Sequence, residues 1–427
     1  MTRTPAAGFR AAALVAAALV AAAFAAAALV AAALALPGCA KRGGPSEERV
    51  VRFWQFWNRD LIAPQVAAFE KANPGVRVEM ETLTWATGFE KIVVAIASND
   101  APDLVELGST WVPKFAAEGA LRDITSDAAA LRAGLVQWES GLANGRVYAI
   151  PWLVGTRVLF ANVELLSRAS ADTAPPATWA ALLSASRAAH DPDRGVYGFG
   201  MNAGERHVLY KKFLPFAWSN GGDVLDPDGR PALGSPACVE ALEYYRSLVP
   251  YSMLERQDQL DAAFLEGRLA FTISGGWLGK KLGETDGSFR WRIAPIPRPR
   301  ADSPPSASFA GAEMLAVPSG ARHPDDAVAL ARFLVDGSRA LEIARAERSV
   351  LPAAIDSSAR EWYDAHPEEK VYLDVLRAAK SPPAVPEWVD MQEALNASIE
   401  EVLFGRAEPR AALARADSAI GAILARK

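Results

Sequence analysis

Two glutamates, Glu106 and Glu313, stand at the ends of short apolar runs, in "LVELGST" and "FAGAEMLAVP". Paired carboxylates at the edges of a cleft suit two chemistries. One is glycoside hydrolysis, with one carboxyl as acid and the other as base. The other is binding, in which each carboxylate accepts hydrogen bonds from ligand hydroxyls. The rest of the chain favours binding. Four histidines, His190, His207, His323 and His366, are scattered without metal-ligand spacing. "GFGMNAG" places the third glycine of a dinucleotide fingerprint one position too far on, and "SGGWLGKK" lacks both the leading glycine and the Ser/Thr of a phosphate loop. "DPDG", Asp226 to Gly229, lacks the rest of a calcium loop and reads as a turn. No Ser-His-Asp arrangement can be assembled. The sequence therefore assigns no catalytic residue, no metal ligand and no cofactor, and the chain reads as a binding protein rather than an enzyme.

Tryptophan adds to that reading. Of twelve tryptophans, Trp57, Trp111, Trp152, Trp218 and Trp277 stand at element ends in polar or glycine-containing contexts, whereas Trp179 inside a helical pattern reads as core. A flat indole with one N–H donor suits the apolar face of a sugar ring, while carboxylates and amides take the hydroxyls.

These residues need elements to aim them. Val50 to Trp57, "VVRFWQFW", reads as a strand buried on both faces, in which Phe53 and Trp54 or Phe56 fill the core and Trp57 projects into a crevice. Leu61 to Ala72 reads as a helix opened by Asp60 and closed by Asn73-Pro74-Gly75. Val76 to Leu83 alternates as a second strand, Gly88 to Ser98 is a helix, and Leu104 to Leu107 is a third strand. Strand, helix, strand, helix, strand is the doubly wound arrangement. Its ligands bind beyond the carboxyl ends of the strands, where strand order reverses. With the first strand between the second and third, that point is flanked by Trp57-Asn58 and by Glu106 to Ser109. Further along, Asn144-Gly145-Arg146 is a hairpin turn, Thr178 caps a helix from Trp179 to Ala189, and "LAFTIS" is a strand. The Pro/Ser-rich segment Pro295 to Ser308 reads as a connection between domains.

At 427 residues the chain is too long for one ordinary core, and two domains are expected. Arg3 and Arg10 precede the uninterrupted apolar tract Ala11 to Leu36, which reads as an export signal, with an uncleaved transmembrane anchor as the alternative given its length. Leu36-Pro37-Gly38-Cys39 resembles the lipobox of bacterial lipoproteins, in which cleavage leaves the cysteine lipidated. Only Cys238 would then remain, a buried small hydrophobe with no disulfide partner. Loss of the two arginines takes the net charge from −5 to −7, which with the lack of any basic block excludes nucleic acid as a partner.

Taken together, "VVRFWQFW", "SNDAPDLVELG", "GRVYAIPWLVGTRVLFAN", "PPATWAALLSA", "FLPFAWSNGGDVLDPDG", "AAFLEGRLAFTISGGW", "FAGAEMLAVPSGARHPDDAVALARFLV" and "RSVLPA" resemble the extracellular solute-binding proteins of bacterial ABC importers, the sugar-binding type related to maltose-binding protein. The resemblance covers nearly the whole mature chain. It implies two α/β lobes, each a doubly wound, mostly parallel sheet flanked by helices, closing on ligand about a hinge. The implied boundaries are a signal over 1–38, a tether over 39–48, a first lobe over 49–155 and 309–352, and a second lobe over 156–308 and 353–427. It implies no catalysis, a carbohydrate ligand, an importer permease as docking partner, a membrane anchor through Cys39, an extracytoplasmic location and a monomer. Carried over by position, the implied ligand-binding residues are Trp57, Glu106, Ser109, Trp152, Arg157, Trp218, Asn220, Gly276, Trp277 and Glu313. The family's glycine pair before the returning strand is replaced here by Ala310-Gly311-Ala312. The competing functions are a lipid-anchored glycoside hydrolase and a sensor or adhesion protein on the same fold.

Overall fold

The computed structural model describes residues 48–169, 171–285 and 289–426. The Ala11–Leu36 tract and Cys39 lie outside the described residues. Strand β1 (Arg49–Gln55) runs between β2 (Val76–Thr82) and β3 (Leu104–Gly108) and is parallel to both, with Phe53 opposite Met80 on one side and Leu104 on the other. Strand order therefore reverses at β1, the point beyond whose carboxyl end sheets of this kind bind ligands. The helix Arg59–Ala72 starts two residues earlier than the pattern suggests. Its cap is Asn58, whose side-chain oxygen accepts the Asp60 N–H at 3.0 Å, while Asp60 sits in the first turn. The reason is electrostatic as well as geometric. An aspartate inside the first turn still meets the positive end of the helix, so asparagine is free to cap it.

A hairpin of β4 (Leu142–Ala143) and β5 (Arg146–Val147) turns at Asn144 and Gly145, with φ of 50° and 74°. Two left-handed residues in succession require a pair such as Asn-Gly. Then β6 (Ala149–Thr156) and β7 (Val158–Asn162) follow with Arg157 alone between them. The chain continues through β8 (Tyr197–Asn202), β9 (Ser252–Glu255), β10 (Leu269–Ser274), β11 (Trp291–Ala294), β12 (Ala310–Ala316) and β13 (Leu351–Pro352). The first sheet has the order β13-β6-β12-β3-β1-β2, and the second β11-β7-β10-β8-β9.

Both sheets are mixed rather than mostly parallel. β12 is antiparallel to both β3 and β6, and β7 is antiparallel to both β10 and β11. The cause is the connectivity. The chain leaves the first sheet at Thr156 and re-enters it at Ala310, and these two residues are paired in the ladder. The returning strand thus starts at the edge where β1 and β3 end and must run the opposite way.

Each sheet carries its own core. Phe53, Phe69, Val78, Trp152, Leu315 and Ile343 pack on the first, and Phe199, Phe213, Tyr245, Phe271, Trp388 and Ile399 on the second. A third cluster, which includes Trp54, Leu107, Phe160, Leu278 and Tyr363, draws on both sheets. The helices Trp388–Leu403 and Pro409–Leu424 close the second lobe. Cys238 is buried there as a free thiol, its Sγ 3.6 Å from the Asp223 carbonyl.

Candidate functional site

The ladder between β3 and β12 sets Gly108 opposite Glu313 and Glu106 opposite Leu315. Alternation along a strand then puts Glu106 and Glu313 on one face, as diagonal neighbours. Glu106 is fully buried, and its Oε2 accepts the Phe56 N–H at 2.8 Å just past the end of β1. Its Oε1 is buried without a hydrogen-bond partner. Burial first, and then the nearby Glu313 carboxylate, hold Glu106 well above the usual carboxylate range, and the Phe56 N–H and the Trp57 side chain offset only part of this. The Trp57 indole nonetheless makes no hydrogen bond of ordinary geometry. Glu313 is half-buried, and burial pushes it up to about 7 against the pull of Lys211 and Arg157. Burial thus favours the protonated form of both carboxyls.

Aromatic rings border these carboxylates. A side chain built on Gly108 would meet Trp85 at 3.6 Å and Trp111 at 3.7 Å, so both indoles lie on the face that Glu313 shares. Trp85 stacks on Phe56 with ring centroids 4.0 Å apart and an interplanar angle of 14°, and is 47% exposed. Trp111 packs against Trp85 with ring centroids 5.5 Å apart, and Phe89 in turn packs against Trp111.

The second lobe contributes cations. Arg157, the residue between the two sheets, is buried, and its guanidinium lies 4.6 Å from the Trp277 ring centroid and 5.4 Å from that of Phe309. Its Nη1 donates to the Thr156 carbonyl at 3.1 Å, while Nε has no partner. Burial lowers Arg157 to about 10 despite Glu313, Tyr210 and Asp261. Trp277 in turn donates its indole N–H to Asp261 at 2.7 Å, and that buried carboxylate also accepts from Gln257 and Ser274. From the helix Arg206–Ser219, Lys212 is buried and donates to the Ile273 carbonyl at 2.8 Å, and its neighbour Lys211 is half-buried. Burial, with Arg157 adding to it, lowers Lys211 to about 8.

Of the expected site residues, the structure sets Glu106 and Glu313 on one face of the first sheet, with Trp57 near Glu106, and packs Arg157 on Trp277 within electrostatic reach of Glu313, and it gives the other five residues different surroundings. Ser109 is spent on β12, its N–H donating to the Ala312 carbonyl and its Oγ accepting the Ala312 N–H. Trp152 is fully buried beside Phe53 in the first core. Trp218 is buried in the second core with its N–H on Asp223 at 2.9 Å. Asn220 donates to the Ala237 carbonyl and to Glu240. Gly276 lies against Ser349, where an added Cβ would come within 2.5 Å of the backbone oxygen. Trp57 is half-buried against the first core. Sequence reading passed over Lys211, Asp261 and Trp85. The first had a signal, since "YKKFLPFAW" puts two lysines into an otherwise apolar helix, and a lysine there must find a buried acceptor or face a cleft.

Two mixed α/β sheets, with the carboxyls of Glu106 and Glu313 on the first and the cations of Arg157, Lys211 and Lys212 beside the second, are the frame of a two-lobed solute-binding protein. Residues 58–336 match the family described as bacterial extracellular solute-binding protein, and the chain belongs to that family, whose work is binding rather than catalysis. The Diacetylchitobiose binding protein DasA of Streptomyces coelicolor is 24% identical over 359 residues, covering 80% of this chain and 79% of its own. Among solved structures, an ABC transporter solute-binding protein from Thermotoga lettingae bound with alpha-D-tagatose superposes with a TM-score of 0.79 at 23% identity, covering 88% of this chain and 100% of its own. The sugar-binding protein MalE from Xanthomonas citri does so with a TM-score of 0.74 at 26% identity, covering 88% and 98%.

Proposed function

We propose that this chain is the extracytoplasmic capture subunit of an ABC importer and that its solute is a sugar or oligosaccharide enclosed between the two lobes. The observation that carries this reading is the first-lobe wall, where the exposed indole of Trp85 lies over Gly108, on the sheet face that it shares with the half-buried carboxylate of Glu313. An aromatic face next to a hydroxyl acceptor is the chemistry a pyranose asks for. The ligands named for DasA and for the Thermotoga lettingae protein point the same way. In this reading Trp57, Glu313, Arg157 and Trp277 border the solute, and Glu106 orients Phe56 and Trp57 from behind. Ser109, Trp152, Trp218, Asn220 and Gly276 shape the walls without needing to touch it. The lobes comprise 49–155 with 309–352 and 156–308 with 353–427, the protein works as a monomer, and lipidated Cys39 tethers it near the permease.

A hydrolase would need a reachable acid and base, and a fully buried Glu106 supplies neither. A thermal-shift screen against a sugar library tests the proposal, because a ligand that binds only the folded state raises the unfolding temperature with concentration. The recovered sugar should be chemically unchanged. Saturating sugars of every class without any shift would remove carbohydrate from the account.

A further inference from the structure

On the second-lobe wall of the crevice, two cations crowd one ring. The Arg157 guanidinium lies 5.4 Å from the Phe309 centroid and the Lys211 ammonium 5.5 Å from the same centroid. Phe309 itself is buried. Neighbouring lysine Lys212 is satisfied by the Ile273 carbonyl, and Asp261 by Trp277, Gln257 and Ser274. Glu205 is likewise occupied, accepting from Asn202 and the Gln257 N–H. Lys211, by contrast, meets no acceptor among the described residues, and Arg157 has a buried Nε without a partner. Glu313 attracts both cations across the crevice but forms no ion pair with either.

Like charges held side by side repel, and their burial adds to the cost. Two features hold Arg157 in place. Trp277 and Phe309 stack on Arg157, and Ser308 clamps its backbone, accepting the Arg157 N–H at 3.1 Å and donating to the Arg157 carbonyl at 2.6 Å. A planar guanidinium fixed on aromatic faces presents its edge in a set direction, which suits a planar anion. Glu313, the acid that attracts both cations, offers a half-buried carboxyl suited to accept hydrogen bonds from hydroxyls.

We propose that Lys211 and Arg157 form an anion subsite, so that the solute is an acidic saccharide: its carboxylate or other anionic substituent sits on the second-lobe wall while its hydroxyls face Glu313 and its ring faces Trp85. This deepens the carbohydrate reading and rests on it. A charge-assisted hydrogen bond in a half-buried site contributes enough for about a ten-fold preference over a neutral analogue.

The test uses calorimetric titration of the mature protein with trigalacturonate, its neutral methyl ester, glycerol 3-phosphate and inorganic phosphate. The expected result is that trigalacturonate or one of the phosphates binds at least ten-fold tighter than the ester, that Lys211→Met abolishes the preference, and that Lys211→Arg restores it. Added salt should weaken the acidic ligand and leave the ester unchanged. If the phosphates bind and neither saccharide does, the anion subsite stands and the carbohydrate reading falls. If the ester or other neutral oligosaccharides bind as well as the acid, the subsite is overturned and the carbohydrate reading survives. If no anion of the panel binds the wild-type protein, the proposal is also overturned.

Discussion

The guanidinium of Arg157 covers the ring of Trp277 at 4.6 Å, and on another side that ring lies so close to Gly275 that an added Cβ would come within 2.0 Å of it. Its N–H is committed to Asp261. Trp277 therefore acts on a solute chiefly by fixing a cation. Replacing it with alanine frees Arg157 and leaves Asp261 one donor short, so affinity should fall about thirty-fold, the usual loss for a central anchor. Trp277→Phe keeps the stacked face and should recover most of that loss in calorimetric titration, which a direct indole hydrogen bond to the solute would not allow.

Trp85 should behave differently. It is 47% exposed, so Trp85→Ala should change the urea midpoint little, within the roughly 0.5 kcal/mol usual for surface positions. Affinity for the sugar should fall about ten-fold, the order of one good aromatic contact. A large midpoint shift with unchanged affinity would make Trp85 a structural cover for Phe56.

Glu313 sets a pH dependence. Its folded-state pKa is raised to about 7, so the native state holds its proton more tightly than the unfolded chain does. The stabilisation is complete below the unfolded value near 4.5 and is lost as the pH rises through about 7. Thermal unfolding should therefore show a downward limb between those values that Glu313→Gln flattens. Lys211, depressed to about 8, has the opposite sense, and its contribution is lost as the pH falls through about 8. Solute binding that needs both an ionised Glu313 and a protonated Lys211 should peak between about 7 and about 8.

Gly276 opens the helix Gly276–Gly283 directly against Ser349, and Lys280 of the same helix pairs with Glu347 at 2.7 Å. Gly276→Ala should push that helix away from the third pass of the chain and hold the lobes apart. Small-angle scattering with a saturating ligand should then show less compaction than for the wild type, and Lys280→Ala alone should show a smaller effect.

Cys39→Ala should abolish incorporation of a labelled fatty acid and release the protein from the membrane fraction. Label that persists in the variant would place the lipid elsewhere.

Much of this was legible in the sequence, and the reasons are local. β1 was visible because a strand buried on both faces is an apolar run, and Leu269–Ser274 and Trp179–Ala189 fall where their patterns put them. Strand direction was not visible, because side-chain alternation is the same in a parallel and an antiparallel ladder. Trp152 and Trp218 looked like cleft residues from their place at element ends, but Phe53 and Asp223, which bury and satisfy them or lie beside them, are set by tertiary packing. Trp85 lies after β2 in a stretch with no strong periodicity, and its place is set by tertiary neighbours, the ring of Phe56 and the bare backbone of Gly108 two strands away.

Because Arg157 alone links β6 to β7 and Ser308 of the returning pass grips it, contact at this point acts almost on the axis about which the lobes would turn. A force applied there has a short lever arm and produces little torque. Were the lobes to close about this crossing, a charge seated on Arg157 would add affinity with little drive to closure, whereas a ring pressed on the exposed Trp85 would do more of the turning. Two solutes of equal affinity can on this account differ in how far they shut the protein, and a permease that recognises only the shut form would carry one and ignore the other.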